Sequence, residues 1–93
     1  MNKTCYAIAI DSTWIAPNGK IYTDTNYVGE YSSGITPYAR FSHATTFSSI
    51  VVAKNYFNRN KNAILEKATS FSKLSNPRIV RLELVKDYTS LLF

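Results

Sequence analysis

The chain is poor in the residues that most site chemistry and covalent reinforcement need. Among its 93 residues Cys5 is the only cysteine, so no internal disulfide can form. A lone thiol inside an apolar stretch reads as a small buried hydrophobe and fits a reducing setting, so a cytoplasmic location is expected. His43 is the only histidine, and one Cys, one His and six scattered carboxylates give no metal-ligand cluster. Three glycines, at 19, 29 and 34, cannot build a phosphate loop or a dinucleotide fingerprint. A Ser–His–Asp triad finds no nucleophile elbow or glycine-rich oxyanion turn to frame it. The longest apolar runs, such as Tyr6 to Ile10 and Ile50 to Ala53, are far shorter than the ~20 residues that span a bilayer. Lys3-Thr4-Cys5-Tyr6 does not open a signal peptide, and no membrane partner is expected. These absences point away from an enzyme, a cofactor or a metal and toward a binding protein.

Apolar residues make up 45% of the chain, with seven Tyr and five Phe, enough to offset the entropy of ordering one domain over 1–93. The longest periodic stretch runs from Thr45 to Leu74. There Ile50, Ala53, Phe57, Ile64, Ala68 and Phe71 recur at spacings of 3, 4, 7, 4 and 3, the period of an amphipathic helix. Phe47 and Leu65 widen the stripe. Thr45 or Thr46 is expected to cap this helix and Ser75-Asn76-Pro77 to end it. Asn58, Asn60 and Asn62 weaken its middle. Either one helix runs through with a polar seam or two shorter ones meet at a bend, and the surviving phase of the stripe favours the first.

Short strands surround it. In Thr4 to Ile10, Tyr6, Ile8 and Ile10 are expected to face the helix, with Cys5, Ala7 and Ala9 on the other side of a central strand. Ala16-Pro17-Asn18-Gly19 is a turn joining Thr13–Ala16 to Lys20–Thr23. Asp24 to Pro37 has no sustained period and reads as a long loop, with at most a short strand at Tyr27–Tyr31. Pro37–Ser42 returns as an extended segment with Ala39 and Phe41 inward. In Arg78 to Lys86, Val80, Leu82 and Leu84 alternate with water-facing Arg81 and Glu83. Leu91-Leu92-Phe93 is expected to dock. The sum is an α+β fold, a mostly antiparallel sheet of three to five strands packed against one long helix.

Two features suggest a binding surface. Tyr22, Tyr27, Tyr31 and Tyr38 lie among Ser, Gly, Asn and Thr, a mixture that binding surfaces favour, although tyrosines also flank sheets routinely. The other is charge. Residues 54–81 hold Lys54, Arg59, Lys61, Lys67, Lys73, Arg78 and Arg81 against Glu66 alone, whereas residues 1–53 are balanced. On a helix running to Leu74 these cations surround the axis, which counts against a groove-reading helix. Lys54, Arg59, Lys61 and Lys67 join the four tyrosines as candidate partner contacts.

The order of elements, with Tyr6-Ala7-Ile8 opening the first strand, Ala39-Arg40-Phe41-Ser42 before the helix and Ile79-Val80-Arg81-Leu82-Glu83 closing the sheet, resembles small phage- and prophage-encoded proteins. Some of those block host defence complexes, CRISPR effectors included. The resemblance implies a non-enzymatic inhibitor of a larger host protein or ribonucleoprotein, acting in the host cytoplasm. On that reading the basic segment makes only weak nucleic-acid contact, lost near physiological salt. A nucleic-acid-binding module using residues 54–81, holding its target at physiological salt, is the other reading. Neither names the target or the oligomeric state.

Overall fold

Ala7, Ile8, Ala9 and Ile10 are all but completely buried, so the first strand is apolar on both faces, as a central strand must be. A computed structural model describes residues 2–68 and 72–85. The elements are β1 (Asn2–Ile15), β2 (Ile21–Tyr31), β3 (Gly34–Ala39), a 3₁₀ turn (Phe41–His43), α1 (Ile50–Leu65) and β4 (Ser72–Val85). They form an antiparallel sheet of four strands in the order β3-β2-β1-β4, with α1 packed on one face, an α+β fold.

The strands are longer than their local patterns suggest. Ala16-Pro17-Asn18-Gly19 forms its turn, with Gly19 at φ +85°. The Gly19 amide donates to the Ala16 carbonyl at 2.9 Å, and the Ala16 amide donates to that of Lys20 at 2.8 Å. From it, pairing runs out from Ile15↔Ile21 to Ala9↔Tyr27. The expected loop at Asp24–Pro37 is instead a second hairpin. β2 continues to Tyr31, Ser32 and Ser33 turn, and Gly34 at φ +120° opens β3. Threonines, tyrosines and Val28 give this segment strand propensity, which lateral pairing turns into structure despite its weak alternation.

The helix is also shorter than expected. Ser49, not Thr45 or Thr46, caps it, its hydroxyl accepting from the Val52 amide at 3.2 Å. The preceding segment is held elsewhere. The Thr45 amide donates to Val28, and Phe47 exchanges two backbone bonds with Tyr6, of 2.8 and 2.9 Å. At its far end α1 stops at Leu65 rather than Leu74. Residues 72–77, read as helix and terminator, belong to β4, where Leu74 faces Ser12. Pro77 cannot sit in a regular ladder. The register slips between Ala9 and Asp11, and Asn76 takes φ 53°, so the bulge accommodates it. The helix does run unbroken through Asn58–Asn62.

The core is Ile8, Ile10, Val28 and Ile64, with Ile35, Phe47, Tyr56, Phe57 and Leu74 packed around it. Of the expected stripe, Ala53 and Ile64 are fully buried and Phe57 is half-buried. Ile50 is 47% exposed, Ala68 lies exposed beyond the helix, and Phe71 falls outside the described residues. Tyr56 takes the vacated flank. Its ring lies 4.9 Å from Phe47, and its hydroxyl donates to Glu30. Burial and that carboxylate both push its phenol pKa up. On β4, Arg81 and Glu83 are exposed as expected. They share the helix-bearing side with Ile79, because Ile79 pairs with Ile8 and Arg81 with Tyr6. Val80 and Leu82 lie on the reverse face, opposite Ala7 and Cys5. Phe41, expected inward, is 46% exposed in the 3₁₀ turn. The expected docking of Leu91-Leu92-Phe93 lies outside the described residues.

Candidate functional site

β1 outruns the helix. Fourteen extended residues reach about 46 Å, matching the 46 Å long axis of the molecule. Sixteen helical residues cover about 24 Å. One end of the β1–β2 hairpin is therefore left beyond α1. It carries Trp14, Ile15, Ile21 and Tyr22, which are 37%, 64%, 68% and 41% exposed. Register assigns their sides. Trp14↔Tyr22 lies on the side that bears α1, in phase with Ile8 and Ile10, and Ile15↔Ile21 lies on the reverse. Both faces of the hairpin end are apolar.

These side chains are held in place. The Trp14 and Tyr22 rings stack, with centroids 4.8 Å apart and planes 23° from parallel. The Trp14 indole N–H donates to Asp24 Oδ2 at 3.2 Å. On the reverse face the Thr13 and Thr23 hydroxyls meet at 3.1 Å. Nearer the core, Asn26 Nδ2 donates to buried Ser12 Oγ at 2.7 Å. Fixed aromatic side chains lose little entropy when a partner covers them.

The four tyrosines singled out by sequence do not share one surface. Tyr22 belongs to the hairpin end. Tyr38, on edge strand β3, reaches Ser72 on the opposite edge strand, hydroxyl to hydroxyl at 2.9 Å. Edge strands of a flat four-stranded sheet stand about 14 Å apart, so the sheet must coil strongly for that bond to form. Tyr27 and Tyr31 point to the reverse face, toward the 3₁₀ turn. Tyr27 meets Phe41 edge-on at 5.6 Å, and the ring of Tyr31 lies 6.2 Å from that of His43. Gly29 permits this approach. A Cβ there would stand 2.8 Å from both the Ala39 Cβ and the His43 carbonyl oxygen.

The cations divide as well. Arg78 donates to Asp11 Oδ1 at 3.1 Å, and Asn76 Nδ2 donates to its other oxygen at 3.2 Å. The Asn76 bond and then the Arg78 bond hold the Asp11 carboxyl below the usual carboxylate range. Arg81 pairs with Glu83 at 3.6 Å. Lys54, Arg59, Lys61 and Lys67 are exposed, the first three on α1 and Lys67 beyond its end. Lys54 also lines a cleft of about 210 Å³ between α1 and β4, with Ile8, Phe57, Pro77 and Ile79 among its walls. That volume is below the roughly 300–1,000 Å³ of a small-molecule site.

Trp14, Ile15 and Ile21 were not singled out from the sequence. A signal was present. Apolar pairs, Trp14-Ile15 and Ile21-Tyr22, flank the Ala16–Gly19 turn symmetrically and break the in–out alternation where a hairpin tip should be polar. Among the described residues no group of three His, Cys, Asp or Glu side chains could hold a metal ion, and no helix is long and apolar enough to cross a membrane. Comparison of the chain with protein-family models, curated proteins and solved structures gave no match.

Proposed function

We propose that this is a non-enzymatic binding protein whose hairpin end docks on a larger protein. The observation that carries the reading is the outward display of Trp14, Ile15, Ile21 and Tyr22, with the two rings stacked and the Trp14 indole hydrogen-bonded to Asp24. Trp and Tyr dominate the energetics of protein interfaces. A hairpin end that is apolar on both faces, flanked by β4 as far as Trp14, suits a recess on a partner larger than itself. Lys20, at the turn, is exposed beside it and favours a partner with an acidic rim. Docking alone can inhibit or modulate. The resemblance in element order to phage-encoded inhibitors makes a bacterial defence complex the first partner to try.

A photo-crosslinking residue at Ile21 tests this in nuclease-treated bacterial lysate. The expected result is one adduct with a heavier polypeptide, abolished when Trp14→Ala is added. Absence of an adduct, an adduct only with a second copy of this chain, or an adduct indifferent to Trp14→Ala would overturn it.

A further inference from the structure

The outward face of α1 is built from residues that a merely solvated helix avoids. Val51, Asn55, Asn58 and Asn62 follow one another at spacings of four, three and four, and all are exposed. That spacing makes one stripe, turned away from buried Ala53 and Ile64. Asparagine and valine are poor helix formers, and Ala, Glu or Lys would stabilise an exposed face better. Residues 50–65 contain no carboxylate. Lys54 and Lys61 stand on one flank of the stripe and Arg59 on the other. Because α1 ends at Leu65, Lys67 lies beyond it and Lys73 belongs to β4. The cations that remain on the helix border the stripe instead of surrounding the axis. Arg81 lines one depression with Lys54, Ile50 and Ile79, but its charge is met by Glu83 at 3.6 Å, so the flanking cations are Lys54, Lys61 and Arg59.

We propose that this face reads B-form duplex DNA, with α1 lying in the major groove. A helix about 10–12 Å across fits a groove about 12 Å wide. Asparagine amides can pair both with the adenine N6 amine and with N7, and the Val51 methyls suit the thymine methyl. Cations on both flanks meet the phosphates of both groove walls, which sets register while the central amides read sequence. The first turn has no acidic residue to repel phosphate. An acidic protein surface would be answered by cations alone, whereas a row of amides between them matches the paired donor and acceptor edges of bases. Duplex RNA presents a major groove too deep and narrow for a helix, so the occupant is DNA.

The test uses the purified full chain and a random-sequence pool of short duplex DNA, with selection followed by fluorescence anisotropy. The expected result is an enriched A·T-containing motif, bound more tightly than the same sequence as duplex RNA or single-stranded DNA. Three flanking cations predict a salt slope of about −2.5 to −3. Asn55→Ala with Asn58→Ala and Asn62→Ala should weaken the selected site by roughly tenfold or more for each base no longer read, with the slope unchanged. Lys54→Ala with Lys61→Ala should instead lower the slope by about 2. The alanine triple variant should melt no lower than the parent, because alanine is the better helix former. Should it fail to fold, Asn58→Ala alone gives the same reading. No enriched motif, equal binding to RNA, or unchanged selectivity in the asparagine variant would overturn the proposal. Purified protein is used here and nuclease-treated lysate for the hairpin, so either reading can fail alone.

Discussion

The same two strands have opposite fates at their two ends. Where α1 lies over β1 and β2, Ile8, Ile10 and Val28 are sealed against Ile64, none more than 1% exposed. Beyond the helix, Trp14, Ile15, Ile21 and Tyr22 continue the same ladder with equally apolar side chains, and every one is exposed. Composition does not separate the two regions. On the helix-bearing face, what separates them is the reach of the cover, about 24 Å of helix over about 46 Å of strand, whereas Ile15 and Ile21 lie on the reverse face, which α1 does not cover. The seam between them is the bulge at Ala9/Asp11, where Asp11 gathers Thr25, Asn76 and Arg78. Burial thus follows from topology, and an apolar residue in a strand is a core residue only where another layer reaches it.

Breaking the covered half should have the largest effect. Ile64→Ala removes a fully buried side chain that belongs to one core cluster with Ile8, Ile10 and Val28. A cost of about 3–4 kcal/mol is expected from the transfer term plus a cavity, read as a fall in chemical-denaturation midpoint. Ile21→Ala, in the uncovered half, should stay within about 0.5 kcal/mol. Equal costs at the two positions would erase the comparison.

Gly29→Ala tests the reverse side of the covered half and ranks next. Its Cβ would meet Ala39 and a backbone carbonyl, neither of which can swing aside. About 1–3 kcal/mol of overpacking is expected, together with weakened near-ultraviolet signals from Tyr27 and Phe41 as the 3₁₀ turn is displaced.

At the seam, Asp11 has a depressed pKa in the folded state through its bonds to Asn76 and Arg78. A lowered carboxyl pKa contributes stability that is present above the unfolded value, about 4, and is lost as pH falls through the folded value. Thermal midpoints measured from pH 6 downward should therefore drop less steeply in Asp11→Asn than in the parent. Parallel curves would show that the network at the bulge is not linked to protonation.

Much of this architecture was legible in residue order. Tyr6, Ile8 and Ile10 alternate strongly enough to mark the helix-facing side of a central strand, and Pro17-Asn18-Gly19 fixes the first hairpin through backbone chemistry that needs no neighbour. The errors share one cause. Ala68 and Phe71 continue the helical period of α1, so the pattern alone runs on to Leu74, but pairing of Leu74 with Ser12 on β1 outweighs local period there. Tyr27, Gly29 and Tyr31 alternate poorly because one face must admit the 3₁₀ turn, so a strand read as a loop. The hairpin end was overlooked for the converse reason. Trp14 and Ile21 have the composition of core, and only the structure shows Trp14 beyond the end of α1 and Ile21 exposed on the face that α1 does not cover.

The smallest expected change in stability accompanies the largest expected change in binding, and one measurement sets them side by side. Ile15→Asp with Ile21→Asp alters only exposed side chains, so its melting temperature should stay near that of the parent. The deciding quantity is the partner recovered from nuclease-treated bacterial lysate by this variant relative to the parent. Loss of at least nine-tenths of the recovered partner (about 1.4 kcal/mol of binding), with the fold intact, is the predicted result. Undiminished recovery by a folded variant would contradict the account and leave the apolar hairpin end as bare surface.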